Sequence, residues 1–521
     1  MLNLSIYREV PLRRARRWGI SLSAKGVKAK ALPTILLRLM AIATPPRSTS
    51  AIDIDHLPEL FDAQREHASI VRATLAQQRR TKIDRLRHAI LDRRQDIRDA
   101  LQADFRKAPV EVDLTEVKSV ADEALFAMEH LEDWMAPDPV QTPHLLMGTR
   151  SEIRYEPKGV TLILSPWNYP FNLTFGPLIA AIAAGNCVVL KPSEYTPHSS
   201  ALMREMVAEL YDPREITLVE GDKNVAQALL KLPFDHFYFT GSPAVGKIVM
   251  RAAAEHLSSV TLELGGKSPA IVDRTADVDD AAAKIAWGKF TNVGQTCIAP
   301  DHVYAHHDVH DALIDRLTHY IQRYYGDTPA AQRATDDYGR LVNTAQFHHI
   351  QQLFEAAVGA GATVVTGGQH DEDERYFAPT VLTDVPRDTD IMEKEIFGPL
   401  LPVLRFQTLD EAVDDVNSRP NPLAAYLFSA DKQAAEHVLE HTTAGGTCVN
   451  DVLVHYMNPH LPFGGAGHSG IGKGHGVYAF REFSNERSVL RRTAASKLMR
   501  PMYPPYGRVT QTLVDWVMRL F

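Results

Sequence analysis

Val160-Thr-Leu-Ile-Leu-Ser-Pro-Trp-Asn-Tyr-Pro170 and, further on, Cys187-Val-Val-Leu-Lys-Pro-Ser-Glu194 share one construction. Each opens with a near-continuous apolar run, breaks at a proline turn and gives way to a helical stretch. Ile216–Val219, His236–Phe239 and Val260–Leu264 have the same texture. Runs apolar on both faces suit strands that are covered on both sides. Their alternation with helices predicts βαβ units around a mostly parallel sheet. Ligands of such sheets bind beyond the carboxyl ends of the strands. The turns that matter are therefore Ser165–Pro170, Lys191–Glu194, Gly221-Asp222, Thr240–Ser242 and Glu263–Gly266.

Upstream, from Asp53 to about Trp134, Leu57, Leu60, Phe61, Ile83, Leu86, Ile90, Leu91 and Ile97 recur at helical spacing among charges. Pro137 and Pro139 close this region. Downstream, a second αβ block runs from Ser268 to Thr447. Its predicted helices lie around Ala281–Lys289, Ile314–Tyr325 and Thr344–Gly359, with strands near Thr363–Val365 and Leu401–Phe406. No internal repeat is visible. Gly241-Ser-Pro-Ala-Val-Gly-Lys247 imitates the start of a P-loop, but Ile248 stands where the magnesium-binding hydroxyl is required. Nucleoside-triphosphate hydrolysis is excluded on that ground.

The chain has 521 residues, 45% of them hydrophobic and 23% charged, which suits several globular units and excludes disordered, collagen-like or multi-span architectures. A net charge of −8 argues against a nucleic-acid partner. Residues 1–50 differ from the rest, with seven arginines and three lysines against the single acid Glu9. They read as a basic extension, either disordered or upstream of a true start at Met40. A targeting segment and a basic surface arm are the alternatives. At the other end, 493–521 form an extension in which Leu513, Trp516, Val517, Leu520 and Phe521 share one face of a helix. Such a stripe packs on the body or a subunit partner, or lies peripherally on a membrane surface. Cys187, Cys297 and Cys448 are scattered, without zinc-ligand or disulfide spacing, so no metal is expected and a reducing cytoplasm is. Organelle targeting or peripheral membrane attachment is the alternative location.

Seven segments together resemble the aldehyde dehydrogenase superfamily over roughly residues 55–490. In order they are Pro166–Pro170, Lys191–Glu194, Phe239-Thr-Gly-Ser242, Glu263-Leu-Gly-Gly-Lys267, Gly294-Gln-Thr-Cys297, Glu395-Ile-Phe-Gly-Pro399 and Leu461-Pro-Phe-Gly-Gly465. The Val449-Asn-Asp-Val-Leu-Val-His455 segment resembles the class 3 branch, which includes fatty and coniferyl aldehyde dehydrogenases. The resemblance implies an α/β fold of two doubly wound domains plus a small β dimerisation element. The NAD(P)-binding domain would cover 51–267 with a return segment at 448–480, and the catalytic domain 268–447. A segment at 481–492 would pair with a strand near 151–156 and build a homodimer.

By resemblance, Cys297 is the nucleophile, while Cys187 and Cys448 remain small buried hydrophobes. Attack by a thiolate turns a planar aldehyde into a tetrahedral hydride donor. The Asn168 amide and the Cys297 N–H would hold the resulting oxyanion. Glu263 would activate the water that hydrolyses the thioester. Branches that transfer the acyl group to coenzyme A usually lack this glutamate. The Rossmann Gly-rich fingerprint is absent, so NAD, with NADP possible, is assigned to Gly241 and Ser242 before a helix. Lys191 and Glu194 take the adenosine ribose, Glu395 the nicotinamide ribose, and Phe397 packs beside the ring. Glu194 should repel a 2′-phosphate. Trp167, Tyr169 and Phe463 would wall an apolar substrate tunnel, and His455 is structural. The function implied is NAD(P)-dependent oxidation of aliphatic, fatty or aromatic aldehydes to acids. Its competitors are a coenzyme A-acylating enzyme and a non-catalytic binding protein on the same fold.

Overall fold

The computed structural model describes residues 54–143, 146, 148–492 and 503–519. The basic extension, and Leu520 and Phe521 of the C-terminal stripe, lie outside the described residues. The helical lead-in consists of Leu57–Arg72, Ala76–Asp92, Arg94–Phe105 and Ser119–Met135, with Ile83, Leu86, Ile90 and Ile97 all buried. Between the last two, Asp113–Lys118 widens into a π-turn that puts Glu116 in the interior.

The strands are β1 (Asp138–Val140), β2 (Thr149–Pro157), β3 (Val160–Leu164), β4 (Cys187–Lys191), β5 (Ile216–Leu218), β6 (His236–Gly241) and β7 (Ser259–Leu264). They continue as β8 (Pro269–Val272), β9 (His302–His306), β10 (Thr363–Thr366), β11 (His370–Asp371), β12 (Tyr376–Phe377), β13 (Thr380–Thr383) and β14 (Leu400–Phe406). The last four are β15 (Ala424–Phe428), β16 (Gly446–Val449), β17 (Gly470–Ile471) and β18 (Ser484–Arg492).

The first sheet runs β17-β7-β6-β3-β4-β5 and is parallel except for β17. Every residue of β3 and β4 is buried, the burial their uninterrupted apolar sequences require. The second sheet runs β10-β13-β14-β9-β8-β15-β16, parallel except for β10. The two sheets make the doubly wound architecture expected from the βαβ texture. A cut at 447/448 would split β16, which carries Cys448 and pairs with β15. The chain rejoins the first sheet at β17, where Gly470 lies opposite Glu263.

The third sheet is β1-β2-β18, in which β2 and β18 pair antiparallel over nine residues, from Thr149↔Arg492 to Pro157↔Ser484. Its first strand is not evident in the sequence, because Pro139 reads as a break. On an edge strand a proline costs no ladder bond, and the exposed edge accommodates it. The helix Arg508–Met518 exposes Val509, Leu513 and Trp516 at successive turns. Among the described residues no helix is long and apolar enough to cross a membrane.

Candidate active site

Cys297 follows a turn with unusual backbone geometry. The helix Val278–Phe290 ends, and Asn292, Val293 and Gly294 then adopt φ of +52°, +60° and +74°. Left-handed backbone at asparagine and valine stores about 1–3 kcal/mol per residue, so neighbouring structure must enforce it. The Asn292 N–H donates to Glu111 at 3.0 Å, and its amide donates to the Asn168 and Gln295 carbonyls at 3.0 and 3.1 Å. Gln295 is fully used: its amide reaches the Asn292 and Arg340 carbonyls, and its oxygen accepts the Val342 N–H. A Cβ on Gly294 would fall on the Gly398 carbonyl. That close approach brings the Glu395–Pro399 loop against the turn that carries Cys297.

Asn168 arrives from the end of β3 and is buried. Its amide nitrogen donates to the Gln295 carbonyl at 3.0 Å, leaving the second amide hydrogen for a ligand. The next residue, Tyr169, bonds Thr296 through its hydroxyl at 2.6 Å. Beneath it lies a fully buried ion pair. Lys107 Nζ meets Glu116 Oε1 at 2.7 Å, sits 3.8 Å from the Tyr169 ring centroid and reaches the Asn168 carbonyl at 3.4 Å. The other Glu116 oxygen accepts the Phe171 and Asn172 N–H groups that open the helix Pro170–Ala184. Burial pulls Lys107 down and pushes Glu116 up from their ordinary ranges, and their mutual attraction opposes both shifts.

Burial, reinforced by the nearby Glu395 and Glu263 carboxylates, pushes the Cys297 thiol up to about 12. The Cys297 and Ile298 N–H groups pull the other way. Glu263 occupies the carboxyl-terminal part of β7, and neither of its buried oxygens has a hydrogen-bond partner among the described residues. Desolvation raises it to about 8. Glu395 is likewise raised to about 8 by burial, with Asp301 adding to the effect, and its Oε1 has no partner among the described residues. Its loop is fixed from below: Lys267 pairs with Asp301 and donates to the Ile391 and Lys394 carbonyls, while Asp301 accepts the Ile396 N–H. The structure thus brings Cys297, Asn168, Glu263 and Glu395 to one place.

The cofactor candidates line the carboxyl end of the first sheet. Lys191 ends β4 and meets Glu194 at 3.1 Å. Gly241 ends β6, and Ser242 caps the helix Pro243–His256 by accepting the Val245 N–H. A Cβ on Gly246 would press into Leu264, so this glycine lets the helix close on β7. Val245 and Ile248 are 42% and 50% exposed at the start of that helix, an apolar flank suited to a flat base. An N-terminus for phosphates, a paired Glu194 for a ribose and an unpartnered Glu395 oxygen together fit a nicotinamide dinucleotide. Trp167 stands edge-on to Phe397, with centroids 5.3 Å apart. Phe463 packs among His455, Tyr456 and His475.

Several residues of this site escaped the motif reading. Lys107, Glu111 and Glu116 sit in the charged helical lead-in, where nothing local distinguishes them from solvated residues. Asn172 donates to the Tyr456 hydroxyl at 2.5 Å across 284 residues of chain. Lys473 also lies beside Glu263, in a glycine-rich turn. His455 contacts Cys448 through Nδ1 at 3.1 Å, away from any catalytic assignment.

Residues 41–489 match the model of the aldehyde dehydrogenase family. A Bacillus subtilis relative, putative aldehyde dehydrogenase AldX, is 44% identical over 84% of this chain and 97% of its own length. The 4,4′-diaponeurosporen-aldehyde dehydrogenase of Staphylococcus aureus is 45% identical over 79% of this chain and 88% of its own. The substrate-bound structure of Staphylococcus aureus AldH superposes with a TM-score of 0.84 at 40% identity, covering 89% of this chain and 99% of that one. An Escherichia coli NADP-dependent enzyme superposes with a TM-score of 0.77 at 27% identity, covering 84% of this chain and 90% of that one.

Proposed function

This chain belongs to the aldehyde dehydrogenase family, and from that membership we propose that it oxidises apolar aldehydes, aliphatic or aromatic, to carboxylic acids. Enzymes of this family use NAD(P). The observation that carries the hydrolytic outcome is the buried, unpartnered Glu263 carboxylate held near working pH and within electrostatic reach of Cys297.

In this reading Cys297 Sγ adds to the carbonyl carbon, and the new oxyanion takes the free Asn168 amide hydrogen and the Cys297 N–H. Losing one such donor costs about 2.7–4 kcal/mol of transition-state stabilisation. NAD(P), when bound between Lys191, Glu194, Ser242 and Glu395, supplies the hydride acceptor and a cationic ring that favours the thiolate. The resulting thioester on Cys297 is cleaved by water whose proton passes to Glu263, and the thiolate leaves. A base held near 8 is ionised often enough at neutral pH and strong enough to accept that proton.

The Lys191–Glu194 pair supports NAD over NADP, since a 2′-phosphate would meet the carboxylate. The apolar substrate class draws support from the relative named for 4,4′-diaponeurosporen-aldehyde. A homodimer through the exposed edge of β18 and a cytoplasmic location complete the reading. The test is NADH formation by the purified chain with aldehydes from short aliphatic through long-chain to cinnamaldehyde-like. Acid production that disappears in Cys297→Ala supports it. Absence of turnover with every aldehyde, by protein that binds NAD, refutes it.

A further inference from the structure

Glu263 presents a physical problem. An ionised carboxylate in a buried site is costly, and the Gly474 N–H, which favours that form, is already bonded to the Phe463 carbonyl, yet water activation requires the ionised form. The side chains facing it come from four places. Tyr238 from β6 is a phenol that burial pushes far up, so it brings no positive charge. Glu482, at the end of the helix Gly476–Glu482, carries the same sign as Glu263 and is engaged by the Thr261 hydroxyl at 2.7 Å. Cys297 acquires the same sign when it ionises. Lys473, in the turn between β17 and that helix, is the cation of the set.

Lys473 is also anchored. Its Nζ donates to the Gly464 carbonyl at 2.8 Å and to the Gly465 carbonyl at 2.9 Å. Gly464 has φ of +147°, and the space its missing side chain leaves is shared. A Cβ there would lie 3.0 Å from Glu263 Oε1 and 3.0 Å from Lys473 Cδ. One glycine therefore lets the base and the lysine stem share its empty side-chain space, while its carbonyl fixes the ammonium. The following residue, Gly474, also lies close to the base, its Cβ position being 3.4 Å from Glu263 Oε1 and 3.0 Å from the Tyr238 hydroxyl.

We infer that Lys473 is the positioning residue of the general base: clamped on the Gly464 and Gly465 carbonyls, its fixed positive charge sustains the ionised, water-activating form of Glu263. This inference rests on the reading of Glu263 as the base. Lys473 touches neither substrate nor cofactor in this role and acts through the carboxylate alone.

The test uses p-nitrophenyl acetate, which acylates a reactive cysteine without cofactor. The nitrophenolate burst reports acylation, and the steady phase reports hydrolysis of the acyl-enzyme. Lys473→Gln keeps a donor for the glycine carbonyls and removes the charge, whereas Lys473→Arg keeps the charge. Between about pH 6 and 10, the acid limb of the steady phase in Lys473→Gln should move up by about one pH unit, a roughly tenfold loss at neutral pH. Its burst should persist, and Lys473→Arg should keep the parent limb. A Lys473→Gln profile that superimposes on the parent after scaling overturns the inference, as does loss of the burst, which would make Lys473 a prop for the loop. Glu263→Gln, run alongside, separates the two layers. If it hydrolyses the acyl-enzyme at the parent rate, the reading of Glu263 fails. If it stalls after the burst while Lys473→Gln keeps its limb, only the role of Lys473 fails.

Discussion

Asn168 and Gln295 are joined by a 3.0 Å hydrogen bond from the Asn168 amide to the Gln295 carbonyl, across 127 residues of chain. It connects the turn after β3 in the first sheet to the left-handed segment that presents Cys297 from the second. One amide hydrogen is spent on architecture, and the other faces the reacting carbonyl in the proposed mechanism. Asn168→Ala should therefore lower kcat by about 10²–10³-fold, the cost of one lost oxyanion donor. Aldehyde-dependent NADH formation measures it, and a change confined to KM would contradict it.

Gly294 has no room for a side chain. Its φ of +74° disfavours any L-residue, and its Cβ position coincides with the Gly398 carbonyl. Gly294→Ala should displace either the turn that carries Cys297 or the Glu395 loop. The expected outcome is loss of activity with a lowered Tm, read by thermal denaturation.

Removing one member of the Lys107–Glu116 pair leaves its partner buried and uncompensated, which costs about 3–5 kcal/mol. Lys107→Met should show that loss in urea denaturation. It should also loosen the Tyr169 side of the site, because the ammonium supports that ring and the Asn168 carbonyl.

Glu263 makes stability depend on pH with a definite sign. Its folded value of about 8 exceeds the unfolded 4.5, so between these values the unfolded chain ionises and the folded chain stays protonated. The unfolded state then binds fewer protons, and stability falls as pH rises through this window. Each unit is worth about 1.4 kcal/mol, which bounds the effect at about 5 kcal/mol. Glu263→Gln abolishes this contribution. Its Tm advantage over the parent should grow from about pH 5 to 8 and then level off, and a constant difference would refute the assignment.

Glu194 is exposed and pairs with the buried Lys191. Glu194→Gln removes the repulsion of a 2′-phosphate and should raise the kcat/KM for NADP relative to NAD by about fivefold, on the order of 1 kcal/mol. Steady-state kinetics with both cofactors decide it.

The apolar runs Val160–Leu164, Cys187–Leu190 and Val260–Leu264 were readable as buried parallel strands because burial on both faces leaves no alternation in the sequence. The helix expected around Thr344–Gly359 spans that range, and the structure adds its cap, the Asn343 side chain accepting the Gln346 N–H. Cys297, Asn168, Glu263 and Glu395 were nameable as candidates through the resemblance carried by seven motifs in order, since each alone reads as an ordinary turn, strand-end or loop residue. In contrast, β1 was hidden by Pro139, whose tolerance depends on an edge position that pairing alone creates.

Local pattern thus determined the elements and picked out the candidate reacting groups, since periodicity, turn chemistry and motif spacing are properties of contiguous residues. Tertiary structure decided what governs those groups. Lys107 reaches the Asn168 turn, Glu111 holds Asn292, and the Lys473 stem and Glu263 come to the same glycine, Gly464, only after distant segments pack. Their charges gain meaning from burial, because desolvation and fixed partners set protonation, and neither exists until the chain has folded around them.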